Sequence, residues 1–192
     1  MPGVDVIPVQ SVDDLAAFIA ACGGEFDSRG PDGDPIDILA HSLQCAHVLA
    51  TRAPDDVELQ VAGLVHDLGH VVAPGESARH GEIGAVFVRG LLGARVARLT
   101  ELHVPTKRYL VATDARYSDR LSEGSTLSLA VQGGAMTPDE VVQFSADPHA
   151  ADAASLRRAD EAAKVTGRVV PGLDAWMPAL AAVAAAQALH QR

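Results

Sequence analysis

Cysteine is nearly absent: the 192 residues hold two, Cys22 and Cys45, with no close pairing between them. That excludes a disulfide-stapled scaffold and a thiolate cluster, and it fits a reducing compartment. Long apolar runs are missing as well. No stretch approaches the roughly 18 residues that would span a bilayer, and the Ala-rich segment from Leu173 to His190 reads more simply as a terminal packing helix. Met1 to Pro8 has neither the basic flank nor the apolar centre of a secretory signal, so a soluble, cytoplasmic protein without a membrane partner is expected. Positive charge is also scarce. Fifteen Lys and Arg stand against 25 Asp and Glu, a net charge of -10, which argues against a duplex nucleic-acid binder. A small anionic substrate stays open, because a few placed cations make one pocket positive in an acidic protein. No Gly/Ser or Pro-rich linker and no internal repeat divides the chain, so one domain over residues 1–192 is expected. Nothing suggests a coiled coil or a swapped arm; a monomer is compatible with the sequence, and the oligomeric state stays open.

Sustained strand alternation is absent too, whereas apolar residues recur at helical spacing through almost the whole chain. The expectation is an all-α helical bundle. Ser11 reads as an N-cap with Asp14 at the third helical position, and Gly23-Gly24 as the end of that helix. Residues 25–35 hold Gly30, Pro31, Gly33 and Asp34 and read as a loop leading into the helix of His41. Pro54-Asp55-Asp56 opens the next helix, predicted to run through His66-Asp67, with His66 and His70 on one face. Further helices are predicted from about Arg79, from beyond Gly93 to His103 with Pro105 kinking or ending it, over Pro138–Phe144, and from His149 to Val165.

What the chain does have is His66-Asp67 within the apolar stretch from Leu59 to His70. A histidine beside a carboxylate in an apolar segment carries a large desolvation penalty unless something such as a metal compensates it. His41, His80, His103 and Asp160 lie in separate helix-like segments, and six donors of these types suffice for two ions such as iron, manganese or zinc. The alternative is a satisfied core histidine beside a hydrogen-bonded carboxylate. Cys45, four residues after His41, could share that face as a ligand, although a small buried hydrophobe is the better fit. His47 points to another face, His149 follows Pro148 at a helix start, and His190 is terminal.

The order His41, His66-Asp67, Asp160 resembles the HD-domain superfamily. The further histidines 80 and 103 make the pattern look like a two-metal site. With Arg79–Ala85, Lys107–Leu110, Gln132–Gly134 and Leu156–Lys164, the chain resembles the phosphonate-degrading HD oxygenases of the PhnZ and TmpB type, and more distantly myo-inositol oxygenase, over residues of about 34 to 171. The resemblance implies a single HD-domain bundle holding a mixed-valent Fe(II)/Fe(III) pair with dioxygen as co-substrate. His41, His66, Asp67 and Asp160 would hold one iron, and Asp67, His80 and His103 the other, with Asp67 as bridge. It implies cleavage of the C–P bond of a 1-hydroxyalkylphosphonate, such as 2-amino-1-hydroxyethylphosphonate, to phosphate and a carboxylate. His70, Lys107, Ser125 and Arg157 match the family's phosphonate-contacting positions, and Asp67, His70 and Lys107 would carry the catalysis. Outside the resemblance, His70 could be an outer hydrogen-bond partner, Lys107 a solvated lysine, Ser125 an N-cap and Arg157 an ion-pair partner.

One departure stands out. The family carries a Tyr-x-x-Glu lid before the first ligand, and alignment on His41 puts Pro31 and Asp34 there, with Ile38 and Ala40 replacing polar positions. Asp34 could answer a substrate amine, but it is one methylene shorter, so the nitrogen end of the substrate is left open. Two rival readings use the same residue types: a metal-dependent HD phosphohydrolase acting on a phosphate ester or nucleotide, and a non-catalytic HD module sensing a small anion.

Overall fold

Six of the helices start where a side-chain oxygen is available for the first unpaired amides. In the computed structural model, which describes residues 5–27 and 34–191, α1 (Val12–Ala21) is capped by Ser11, α2 (Ile38–Arg52) by Asp37 and α3 (Val57–Val65) by Asp56. After a short α4 (Gly69–Val72) comes the long α5 (His80–Thr113). Asp114 caps α6 (Ala115–Ser118), Ser122 caps α7 (Glu123–Val131), and Thr137 opens α8 (Pro138–Ser145) with a capping box to Glu140. The chain closes with α9 (Ala150–Ala162), a single 3-10 turn (Leu173–Trp176) and α10 (Met177–His190). No strand occurs among the described residues, so the fold is all-α as expected. No described helix is long and apolar enough to cross a membrane.

Helix α3 lies at the centre, packed on α2, α5 and α9, while α5 also carries α4, α9 and α10. Leu15, Ile19, Leu49, Leu64, Leu68, Leu92, Leu99, Leu156 and Leu180 are fully buried in one continuous core, each contributing on the order of 1.5–3 kcal/mol of burial. Two close approaches depend on missing side chains. A Cβ on Gly63 would lie 2.5 Å from Leu49 Cδ1, so α2 and α3 touch there. A Cβ on Gly69 would run into the backbone carbonyl of His80 and come within 2.9 Å of the Gly84 amide. This contact draws α4 against the start of α5.

The structure corrects three boundaries. Helix α5 does not end at Pro105; it continues to Thr113, because a helical proline removes one backbone bond while buried Leu102, Thr106 and Leu110 keep the flanking turns in place. The interruption falls at Gly93, where the sequence placed the join between two helices; its φ of 88° and ψ of 175° only glycine adopts without strain, and it sits against Gln187 of α10. Helix α9 ends at Ala162 rather than Val165. The Val165 amide and carbonyl are taken by Gln44 of α2, at 3.3 and 2.8 Å. Ser125 is not an N-cap. Ser122 fills that role by accepting from the Ser125 amide at 3.1 Å, which leaves the Ser125 hydroxyl free for other partners.

Candidate metal centre

His66 and Asp67 lie not inside a helix but in the turn between α3 and α4. That turn breaks the regular angular step of the helix, so His66 and His70 do not face the same way as predicted. His66 meets the edge of His41, while His70 stacks on His80 with ring centroids 3.8 Å apart.

Six of the predicted donors converge from four places: His41 on α2, the doublet in the turn, His80 and His103 on the two limbs of α5, and Asp160 on α9. The two α5 residues meet because the helix reverses at Gly93, and Gly81 passes close to Thr100 and His103. Asp67 Oδ2 stands 3.3 Å from both His41 Nε2 and His66 Nε2, and Oδ1 stands 3.4 Å from both His80 Nε2 and His103 Nε2. Its two oxygens therefore serve two histidine pairs. Asp160 lies on the first side only, 3.3 Å from His41 Nε2. Ligand atoms of His41, His66 and Asp160 form one compact group, and those of Asp67, His70 and His80 another.

The outer nitrogens explain the ring orientations. Nδ1 of His66 faces the Gly63 carbonyl at 2.9 Å, that of His80 the Ser77 carbonyl at 2.6 Å, and that of His103 the Thr100 carbonyl at 2.5 Å; that of His41 faces Ala163 at 3.4 Å. A carbonyl accepts only from N–H, so in its neutral form each ring turns a bare Nε2 lone pair inward. His80 and His103 Nε2 are 2.7 Å apart, and His41 and His66 Nε2 3.2 Å. Lone pairs so close repel unless a cation lies among them. The donor set thus fits metal, with imidazole and carboxylate selecting a transition ion. Without a cation in the centre, its two carboxylates draw a proton there instead. Burial opposes charge on His41, yet hydrogen bonds to Asp160 and Asp67 lift it to about 10. Burial raises Asp67 and Asp160, but His66 for the one and Arg157 for the other hold both well below the usual carboxylate range. His70 falls to about 4 through burial and its neighbour His80, and burial also lowers His80 and His103.

Beside Asp160 lies a polar shelf. Lys107 is buried, with Nζ donating to the Ser128 hydroxyl at 2.5 Å and the Ser125 carbonyl at 3.3 Å, so it is not a solvated surface lysine. Burial and the nearby Arg157 charge push it down to about 7. Arg157 donates to Asp160, to Glu161, to Tyr117 Oη at 2.8 Å and to Ser125 Oγ at 3.0 Å. Sequence reasoning missed Glu161, Tyr117, Ser122 and Lys164. A signal for two of them was present: Glu161 is four residues after Arg157 and Lys164 four after Asp160, which places each near its partner on a helical face. Tyr117 carried no such signal. Asp34 is buried and accepts from Lys164 Nζ at 2.6 Å and Ser122 Oγ at 3.1 Å. Asp34, Lys164, Asp27, Ile36 and Ile38 line a narrow recess that reaches His41 and Asp67. Pro31, where a lid tyrosine was expected to be replaced, lies outside the described residues.

The remaining candidates stand apart from the centre. Cys45 is fully buried beside Gly63, and burial holds its thiol well above its ordinary value, as expected of a small hydrophobe. His190 faces its own helix carbonyl, Ala186, at 2.8 Å; His149 precedes α9, and His47 lies half-buried on α2.

The HD-domain family model matches residues 38–130. Over 165 residues the chain is 34% identical to [1-hydroxy-2-(trimethylamino)ethyl]phosphonate dioxygenase (glycine-betaine-forming) of Leisingera caerulea, covering 80% of this chain and 83% of the relative. Over 147 residues it is 37% identical to hydroxymethylphosphonate dioxygenase of Gimesia maris, covering 72% and 73% respectively.

Proposed function

The chain belongs to the HD-domain phosphonate dioxygenases, and on that premise we propose that it oxidatively cleaves the C–P bond of a 1-hydroxyalkylphosphonate at a pair of iron ions, Fe(II) and Fe(III). The observation that carries this reading is the division of the Asp67 carboxylate between two histidine pairs, which suits a bridge better than a ligand to one ion. His41, His66, Asp67 and Asp160 would hold the first iron, and Asp67, His80 and His103 the second. When bound, such a pair supplies Lewis acidity toward the substrate oxygens and the electrons that activate dioxygen.

The overall change is balanced: HO–CHR–PO3(2-) plus O2 gives RCOO(-), HPO4(2-) and one proton. Carbon gains one oxygen and phosphorus the other, while the C–H and C–P bonds break. The protein must then hold a dianion and move a proton. Lys107, Arg157 and Ser125 face one region and provide two cations and a hydroxyl for the phosphonate. Lys107, lowered to about 7, can carry charge in the complex and exchange a proton near neutral pH. His70, lowered to about 4, stays a neutral ring that can accept a hydrogen bond from the substrate hydroxyl. Arg157 also braces Asp160, so substrate binding and the first metal share a residue.

The test is metal analysis of anaerobically purified protein with low-temperature electron paramagnetic resonance, followed by measurement of oxygen uptake and phosphate release with hydroxyphosphonates. Two irons per chain, a half-integer-spin mixed-valent signal and phosphate release that depends on oxygen are expected. Oxygen-independent hydrolysis of a phosphate ester by a redox-silent metal would replace this reading with a phosphohydrolase. Anion binding with neither reaction would make the chain a sensor.

A further inference from the structure

The named relatives act on molecules that share a hydroxyphosphonate head and differ beyond the carbinol carbon, one bearing a trimethylammonium group and the other nothing. We propose that the ion pair between Lys164 and Asp34 sets specificity in this chain: it closes the recess to cationic substituents and selects short 1-hydroxyalkylphosphonates whose remaining group is uncharged. This inference rests on the dioxygenase reading and deepens it.

The three N–H groups of the Lys164 ammonium are all used, to Asp34 Oδ2 at 2.6 Å, Ser125 Oγ at 2.8 Å and Ser122 Oγ at 3.2 Å. Asp34 Oδ2 in turn accepts from Ser122 Oγ at 3.1 Å. Asp34 also lies close against the first turn of α7: a Cβ on Gly124 would lie 3.2 Å from its Oδ2 and 3.4 Å from its amide. Burial works against charge on Lys164, but Asp160, Glu161 and Asp34 keep its pKa raised, so the ammonium stays charged.

A carboxylate already bonded to an internal ammonium adds no net charge to the wall. A substrate ammonium arriving there would lose its hydration and meet a neutral pair with Lys164 behind it, and both terms disfavour binding. Ile36 and Ile38 face the same recess and favour hydrogen or a short alkyl group. Asp27 also borders the recess, and its charge acts on His70 across it. Lys164 and Asp34 share the lining with His41 and Asp67.

The experiment compares kcat/KM for hydroxymethylphosphonate, 1-hydroxyethylphosphonate and 2-amino-1-hydroxyethylphosphonate in the iron-loaded protein, with anaerobic binding of each followed by its effect on the resonance signal. At least a tenfold preference for the two uncharged compounds, in turnover and in binding, is expected. In Lys164→Met, which leaves Asp34 unpaired, that ratio should shrink at least tenfold toward the amine. In Lys164→Arg it should persist. Should Lys164→Met fail to fold, the wild-type ratio and Asp34→Asn decide, since removing the carboxylate while keeping the cation must leave the amine rejected. Equal or better use of the amine by the wild-type protein would overturn this inference while leaving the dioxygenase reading intact. Loaded iron with no phosphate released from any of the three would overturn both.

Discussion

Asp67 and His103 make unequal demands on the centre, and that inequality can be measured. Asp67 faces both histidine pairs, whereas His103 turns its Nε2 to Oδ1 of Asp67 and to its partner His80. Asp67→Ala should therefore empty both positions, while His103→Ala should retain about one iron per chain and lose turnover; metal analysis of the two variants checks this. Lys107 yields a prediction in pH. Its ammonium is lowered to about 7, so in the free protein it is charged below that pH and neutral above it. Phosphonate affinity that depends on this cation should decline as pH rises through about 7. Lys107→Met should raise KM more than tenfold at pH 6 and flatten the Lys107-dependent part of the KM profile, with kcat changing less. The six candidate donors that the structure brings together were legible in the sequence because each is a His or Asp with no cheap reason to be buried. Tyr117 and Ser122 were not, since a tyrosine or serine is ordinary anywhere and acquires its role only from the neighbours the fold brings.

At the level of elements, glycine decides how near the helices come. The space a Gly69 side chain would need is filled by the His80 carbonyl and the Gly84 amide, both backbone and unable to turn aside. Gly69→Ala should cost about 1–3 kcal/mol, as overpacking does, and move the start of α5 away from the turn that carries Asp67. The expected outcome is a lower melting temperature together with loss of the second iron and retention of the first. A stability loss with both irons retained would mean that this contact holds the fold alone. Capping residues and helix periods made α1 and α8 readable with nearly correct ends. Pro105 misled because a proline is a local signal, whereas the helix on both sides is kept by burial of Leu102, Thr106 and Leu110.

For the molecule as a whole, metal and fold are linked, because donors from α2, the α3–α4 turn, α5 and α9 come together only when those elements are packed. Ions held at a hundred times their dissociation constant should add about 2.7 kcal/mol per site, and a chain of this size shifts by roughly 2–4 °C for each kcal/mol. Chelation should therefore lower the melting temperature by about 5–10 °C for each metal removed, reversibly on restoring iron. A melting curve unchanged by complete chelation would show that the centre is preformed without its ions. The sequence by itself determined the all-α class and singled out six candidate donors and the cationic residues Lys107 and Arg157, because helical period, desolvation of charged side chains and spacing along one helix are properties of neighbouring residues. Only the tertiary structure decided that Asp67 faces both histidine pairs, that α5 folds back at Gly93 to join His80 to His103, and that Lys164 has already taken Asp34. Those pairings join residues up to 130 positions apart, and such distant contacts exist only after the helices have packed.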